Sequence, residues 1–321
     1  MTTLRRVLTT LSIILAIILA VAWFFGPSIG LALRGQPFFL LPPTPERYAA
    51  VVLDEAEEYG IYGASAEFAR ARAVVEAAAA DAEDPADLHD LLDEALVAAG
   101  GRHSAFIPFE DLAEDRAAEQ APPTVVTEGG VLVATVPGRN VHRDGQAYAD
   151  VLSAGLTQPG CGAVVDLRGN TGGDIAPMLA GVSPLLDDGV VLQFVSRHGT
   201  RDVRVDGNTA AEPGGTTTTS GGKNPLPVAL LIDDATASAA EAVLLSFAGL
   251  DRARSFGGPT AGYASQNIGF DMYDSAVIIT TASMRDRTGR EYVYGPVPPN
   301  VDTAAPEAAA RDWLAAEYDC R

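Results

Sequence analysis

The sequence predicts an α/β domain with a largely parallel sheet, preceded by a helical cap and by one apolar N-terminal helix. Three observations predict this architecture. In the C-terminal two thirds, apolar runs such as 162–169 and 226–233 alternate with helical patterns, as in βαβ units. From residue 44 to about residue 100, apolar residues recur with the period of a helix. Near the N-terminus, an uncharged run is long enough to span a membrane.

The 19 residues from Val7 to Phe25 carry no charge and follow two arginines. These 19 residues give about 28 Å of helix, enough for the hydrocarbon core of a bilayer. The arginines place the N-terminus in the cytoplasm and everything after the helix outside the cell. A cleaved signal peptide is the alternative, because residues 20–22 have the small-x-small form of a cleavage site. The aromatic residues 23–25 continue the run, which favours a retained membrane helix.

The composition excludes nucleic acid as a partner and leaves undecided whether the two cysteines form a disulfide. A formal net charge of −20 excludes nucleic acid, which needs a basic surface, and would attract cationic partners. Cys161 and Cys320 are able to pair in an oxidising compartment, but sequence alone does not bring them within bonding distance. Neither cysteine has a companion at metal-ligand spacing, so we expect no metal and no cofactor.

The pattern along the chain predicts four segments. They are a membrane anchor over 1–26, a linker over 27–43, a helical cap over 44–120 and an α/β core over 121–321. Three helices are expected between residues 44 and 100, followed by a polar helix-like stretch over 109–120.

The core elements are predicted one after another. The expected elements are a hairpin over 124–138, helices over 143–158 and 175–186, strands over 162–169, 189–196 and 226–233, a helix beginning near 238, and strands over 252–258 and 275–283. Residues 212–225, rich in Gly and Thr, are expected to form an exposed loop.

Two of these strand ends carry residues suited to acyl transfer. One strand ends before Gly172 and Gly173, and another ends before Ser238 at the start of a helix. Ligands collect beyond the carboxyl ends of strands in such sheets. Uncovered N–H groups of the glycines and of Ala239 suit an oxyanion hole, with Ser238 as nucleophile. The alternatives are that Ser238 only caps the helix and that the glycines bind phosphate, although no Lys-Ser/Thr follows them.

These motifs resemble those of the S41 peptidases, the C-terminal processing protease family. The stretches "DLRGNTGGD", "TASAAE", "GGPTAGY" and "GPVPPNVD" occur in the family's order over roughly residues 124–303. The resemblance implies a crotonase-like α/β core, Ser238 as nucleophile, and Gly172 or Gly173 with Ala239 as the oxyanion hole. By motif position it also implies that the cleft is flanked by Asp174, Ile175 and Tyr263.

Two departures from the family pattern refine this expectation. The chain has no room for the PDZ module that processing proteases carry between cap and core. The family's catalytic lysine falls at Tyr263, and the one lysine of this chain, Lys223, lies in the Gly/Thr-rich segment. A Ser–Lys dyad is therefore disfavoured.

Histidine is the remaining candidate base, since its ordinary pKa near 6.5 suits proton transfer at neutral pH. Of the four histidines, His103 follows a Gly-Gly helix stop in "GGRHS", and His142 is the alternative. "GGRHS" and "TASAAE" resemble the nisin-resistance branch of the family, which implies His103 as the base. Glu241, three residues after Ser238, fits a capping box and is assigned a structural role.

The sequence therefore predicts a membrane-anchored serine endopeptidase outside the cell, with a Ser238–His103 dyad. The resemblance implies a peptide substrate such as the C-terminal tail of a lantibiotic, and the charge favours a cationic one. The alternatives are a non-catalytic protein that sequesters peptides, a general processing protease, and a crotonase-like enzyme acting on acyl thioesters. Export disfavours the last of these, because such thioesters are cytoplasmic.

Overall fold

The computed structural model describes residues 2–112, 121–138 and 145–320. The chain divides into two compact units. The first comprises 1–115 and 267–281, and the second comprises 116–266 and 282–321.

The helices with defined bounds include those expected over residues 44–100, 143–158 and 175–186 and from residue 238, together with one near the C-terminus that was not predicted from the sequence. They are α1 (Thr2–Arg34), α2 (Pro45–Tyr59), α3 (Ala66–Ala79), α4 (His89–Gly100), α5 (Gly145–Leu156), α6 (Ile175–Val182), α7 (Ala239–Ser246) and α8 (Pro306–Tyr318). Short 3₁₀ turns occupy Pro85–Leu88 and Ser183–Leu185.

The strands, in chain order, fall between and after these helices. They are β1 (Ala105–Pro108), β2 (Thr124–Glu128), β3 (Val131–Thr135), β4 (Gly162–Asp166), β5 (Gly189–Ser196), β6 (Gly199–Asp206), β7 (Thr209–Glu212), β8 (Gly215–Thr218), β9 (Val228–Ile232), β10 (Ala253–Gly257), β11 (Ser265–Asp271), β12 (Ser275–Asp286), β13 (Glu291–Tyr292) and β14 (Val301–Asp302).

The first unit contains the three helices predicted between residues 44 and 100, which confirms that prediction. Helix α2 begins as the sequence indicates: the Thr44 side chain accepts a hydrogen bond from the Arg47 N–H, and Pro45 takes the first helical position. Ser65 caps α3 in the same way, accepting from the Phe68 N–H at 3.0 Å. Helix α1 continues to Arg34, so it includes the first eight residues of the segment predicted as a linker.

The first unit also contains residues 267–281, which the sequence assigns to the core. Strand β1 pairs antiparallel with the first half of β12, where Phe106 lies opposite Val277. Val277 and Ile279 are fully buried in the apolar cluster formed by α2, α3 and α4. Only the tertiary pairing reveals this, since residues 267–281 lie within the segment predicted as the core.

The second unit is built on a sheet with strand order β14-β10-β9-β4-β3-β2. Every neighbouring pair is parallel except the hairpin of β2 and β3, which confirms the predicted largely parallel sheet. Alternate residues of β4 face different clusters: Val165 packs with α5 and α6, and Val164 packs with α8. Burial on both faces explains why the strand is continuously apolar.

The remaining strands of the second unit are antiparallel, and they correct one prediction. Residues 212–225 were expected to form a loop, but β8 pairs with β7 and places Thr217 in a buried position. The β-branched threonines favour a strand, and Pro213 and Gly214 supply the turn before it.

A disulfide joins Cys161, just before β4, to Cys320, just after α8, across a sequence separation of 159 residues. The structure thereby settles the pairing that the sequence left open. Replacing both cysteines by serine is expected to lower the free energy of unfolding by roughly 2–4 kcal/mol, because the unfolded chain regains a long loop. Urea denaturation of the variant and of the reduced wild type measures this. Equal midpoints for oxidised wild type and variant contradict the prediction.

Candidate active site

The candidate nucleophile lies where a strand of the second unit passes into a helix. Strands β4 and β9 are parallel neighbours, with Asp166 opposite Leu231, so the loops after them leave the same edge of the sheet. Ser238 ends the second loop and is the N-cap of α7. Its backbone has φ 53° and ψ −114°, a conformation that non-glycine residues rarely adopt. Such strain costs on the order of 1–3 kcal/mol and is concentrated at functional sites.

The loop after β4 lies directly against Ser238. A Cβ placed on Gly172 would lie 2.8 Å from the Ser238 Cβ and 3.3 Å from the Ala239 nitrogen. The φ of Gly172 is +109°, which also disfavours any side chain. Glycine is therefore required here, and its absence of a side chain brings the two loops into contact.

Buried side chains fix the two loops to each other. Asn170 is fully buried; its carbonyl accepts from the Ala237 N–H at 2.9 Å, and its side chain donates to the Val136 carbonyl at 2.8 Å. Thr236, also fully buried, accepts from the Asp233 N–H. Its hydroxyl lies 3.0 Å from the Leu167 carbonyl. The Ser238 backbone is thus held by both loops, which preorganises it.

The backbone N–H groups distinguish between the two glycines. The Gly172 N–H donates to Asn170 Oδ1 at 2.8 Å, so it is already occupied. Within the part of the chain that the structure describes, the N–H groups of Gly173 and Ala239 have no protein acceptor. Gly173 is exposed, whereas Ala239 is buried at the N-terminus of α7. These two N–H groups are the candidate oxyanion donors.

Glu241 has a larger role than the capping box deduced from sequence. The Ser238 N–H does donate to Oε2 at 2.9 Å, as in such a box. The same Oε2 accepts from the Tyr263 N–H at 2.8 Å, and Oε1 accepts from the Gly262 N–H and the Thr260 hydroxyl. Burial raises the pKa of Glu241, although all four hydrogen bonds favour its charged form.

The position of Glu241 was visible in the sequence, but its connections were not. The residues it joins lie 19 to 22 positions further along the chain, in the loop after β10. Only the parallel neighbourhood of β9 and β10 brings that loop to Ser238. The carboxylate therefore connects the nucleophile loop to a third loop of the second unit.

The predicted substrate-contacting residues are distributed over two of these loops. Asp174 is the N-cap of α6, and Ile175 is the first residue of that helix and is half-buried. Tyr263 is half-buried, and its backbone shares Glu241 with Ser238. The roles of these three residues in substrate binding stay predictions.

His103 belongs to the first unit, in the turn between α4 and β1. Gly101, with φ +79°, ends the preceding helix, and Asn267 donates to the His103 carbonyl at 3.4 Å. Next to it, Ser104 is buried and its hydroxyl accepts from the Thr280 N–H at 2.9 Å. Burial, aided by the charge of Arg102, lowers the pKa of His103 to about 4. The imidazole is therefore neutral at pH 7, the form that accepts a proton.

This pKa predicts an unusual pH profile. A His103 base works only in its neutral form, so kcat/KM should stay level from pH 7 to about pH 5 and fall below about pH 4. An ordinary histidine would give a fall near pH 6.5. Initial rates on a peptide substrate measure the profile, with circular dichroism confirming that the protein stays folded. An acidic limb near pH 6.5 contradicts the prediction.

The other candidate bases have different surroundings. His142 lies outside the described residues. His89 lies in the first unit, with its Nε2 3.4 Å from an Asp274 carboxylate oxygen. Lys223 is held by the Ser183 and Leu186 carbonyls, and its Nζ lies 2.7 Å from Asp188. Lys223 therefore supports the helical turn before β5.

Known proteins are similar to this chain in sequence and in fold. The chain is 31% identical over 317 residues to the nisin-resistance protein of Lactococcus lactis subsp. lactis, covering 97% of each protein. Its fold is similar to that of a lipoprotein from Streptococcus agalactiae, with a TM-score of 0.76 and 26% identity, covering 86% of this chain and 98% of the other.

A more distant structure shares the fold alone. The photosystem II D1 C-terminal processing protease has a TM-score of 0.59 at 14% identity, covering 83% of this chain and 94% of its own. The sequence model of peptidase family S41 matches residues 139–303. With the strained serine and its neighbouring backbone donors in the second unit, these likenesses establish that the chain belongs to peptidase family S41.

Proposed function

We propose that this protein is a serine endopeptidase that acts outside the cell while held to the membrane by α1. The proposal is carried by the strained backbone of Ser238, which packs against Gly172. Beside it are the backbone N–H groups of Gly173 and Ala239, which have no acceptor among the described residues. Helix α1 is the one described helix long and apolar enough to cross a membrane, and its apolar window is fully exposed.

In the proposed mechanism, Ser238 Oγ attacks the substrate carbonyl carbon as His103 accepts the hydroxyl proton. The carbonyl oxygen becomes an oxyanion held by the Gly173 and Ala239 N–H groups, each contributing about 3 kcal/mol. Collapse breaks the C–N bond, and His103 returns the proton to the leaving amine. Water then hydrolyses the acyl-enzyme ester by the same proton transfers, which restores the Ser238 hydroxyl.

We propose a lantibiotic as substrate, cut near its C-terminus, which would confer resistance on the cell. The support is the likeness to the nisin-resistance protein, together with a net charge of −20 that attracts cationic peptides. Asp174, Ile175 and Tyr263 are the residues that we propose contact the peptide. A general processing role for linear peptides is the alternative within the same family.

Product mapping tests the proposal. The full chain, purified in detergent, is incubated with nisin and with a pool of linear peptides, and the products are identified by mass spectrometry. We expect wild type to cut nisin near its C-terminus, and Ser238→Ala and His103→Ala to leave it intact. Cleavage of linear peptides but not of nisin would show that the protein is a peptidase and would contradict its proposed role in lantibiotic resistance.

Covalent labelling separates an enzyme from a peptide-binding protein. A serine-reactive phosphonate should add its mass to wild type and to Ser196→Ala, a serine at the end of β5, but not to Ser238→Ala. Nisin binding by all three proteins with neither labelling nor cleavage would refute the enzyme and leave a sequestering protein.

A further inference from the structure

Helix α1 is longer than a bilayer requires. Its 33 residues extend about 50 Å, against a hydrocarbon core of about 30 Å. From Val7 to Leu33 the helix carries no charged side chain, so its apolar part spans about 40 Å, close to the full thickness of a bilayer with its interfacial layers. With Val7 at the inner edge of the hydrocarbon core, a helix of this length reaches the outer interfacial layer with its last turns.

After α1 the chain reverses and returns along the helix. Gly35, with φ +67°, makes the turn, and residues 36–38 lie against two glycines of α1. A Cβ on Gly26 would lie 2.6 Å from the Phe38 carbonyl oxygen, and one on Gly30 would lie 2.4 Å from the Phe38 nitrogen. Both glycines are buried. We call residues 35–41 the return segment; it brings Phe38 back to the level of Gly26, next to the aromatic end of the uncharged run.

A second set of contacts joins α1 to the cap helices of the first unit. Pro27 lies inside α1 and has no N–H, so the Trp23 carbonyl loses its helical donor. The Arg47 guanidinium donates to that carbonyl, and it also lies 4.6 Å from the centroid of the Trp23 ring. Leu31 and Phe39 pack against the apolar core of the first unit. The outer end of α1 is thus part of that unit and not a flexible tether.

The return segment exposes apolar side chains to the surroundings. Phe38 is 47% exposed and Leu41 is 59% exposed, and Leu40, between them in the sequence, is also exposed. On α1, Phe25 and Leu33 are exposed at 59% and 78%. These groups continue the exposed apolar surface of the membrane helix, so lipid is the partner that matches them in chemistry and in position.

We propose that the return segment lies in the outer interfacial layer of the membrane, with Phe38, Leu40 and Leu41 in contact with lipid. Together with the Arg47 and glycine contacts, it holds the first unit at a fixed height and orientation on the membrane surface. The proposal rests on the retention of α1 included in the proposed function.

Fluorescence quenching in nanodiscs tests this placement on the full chain. Both native cysteines are paired, so a single introduced cysteine accepts an environment-sensitive fluorophore selectively. The probes are placed by Leu41→Cys in the return segment, Ile14→Cys in the predicted span and Val74→Cys on the exposed surface of α3. Spin-labelled lipids quench probes in the bilayer, and aqueous iodide quenches probes in water.

We expect spin-labelled lipid to remove most of the fluorescence at positions 14 and 41, and iodide to remove it at position 74. Lipid quenching at position 14 combined with iodide quenching at position 41 would show that α1 spans the membrane but that the return segment lies in water. This result would overturn the inference about the return segment. Iodide quenching at position 14 would instead show that the anchoring itself is wrong, and both proposals about the membrane would fall together.

A glycine variant tests the packing that positions the segment. Gly30→Leu, added to Leu41→Cys, should push residues 36–38 away from α1 and shift the quenching at position 41 from lipid toward iodide. The same substitution added to Ile14→Cys should leave lipid quenching at position 14 unchanged. Unchanged lipid quenching at position 41 would show that the glycine contacts do not position the return segment.

Discussion

Replacing Ser238 with alanine is expected to lower kcat/KM by a factor on the order of 10⁴ or more, with a similar loss for His103→Ala. In the proposed mechanism both residues serve one proton-coupled attack, so removing either one disables the same step. The double variant should therefore be no slower than the slower single variant. Steady-state rates on a cleaved peptide measure all three.

The strain at Ser238 provides a control independent of activity. Alanine keeps the positive φ of 53° at the same cost, whereas glycine adopts it freely. Ser238→Gly should therefore unfold at a higher urea concentration than Ser238→Ala, although both are expected to be inactive.

The double variant gives the outcome that would contradict the dyad. If the losses of kcat/KM for Ser238→Ala and His103→Ala multiply in the double variant, the two residues act independently and the dyad is wrong.

Glu241→Gln is the second substitution with a large expected effect. The new amide group places donors opposite N–H groups of Ser238, Tyr263 or Gly262, where the carboxylate now accepts. Leaving buried donors unsatisfied costs about 1–3 kcal/mol each. We expect roughly 3 kcal/mol of lost stability and at least about a hundredfold lower kcat, because the Ser238 loop shifts.

The pattern of kinetic changes identifies Glu241 as a positioning residue. Its substitution should lower kcat much more than it changes KM, and the acidic limb of the pH profile should stay near pH 4, since His103 is untouched. Glu291→Gln is the control, because that carboxylate also accepts hydrogen bonds, from Ser283 and Arg285, but lies outside the loops around Ser238. Equal losses of kcat in the two variants would show that Glu241 only stabilises the fold and does not position Ser238.

Local sequence patterns predicted the elements of the fold well, and the reason is physical. The caps of α2 and α3 depend on residues three positions apart, and the continuous apolar character of β4 and β9 reflects burial on both faces. The pattern failed at β8, where threonine and glycine are compatible with both loop and strand, and the pairing with β7 decided between them.

The sequence by itself determined the family, the nucleophile candidate and the apolar N-terminal helix, because each is encoded in short contiguous motifs. Only the tertiary structure decided which glycine N–H is occupied, which loops Glu241 connects, and that residues 267–281 belong with the cap helices. It also decided that α1 is docked through Gly26, Gly30 and Arg47. Each of these depends on contacts between residues far apart in the chain, and strand order, buried hydrogen bonds and close backbone approach fix such contacts.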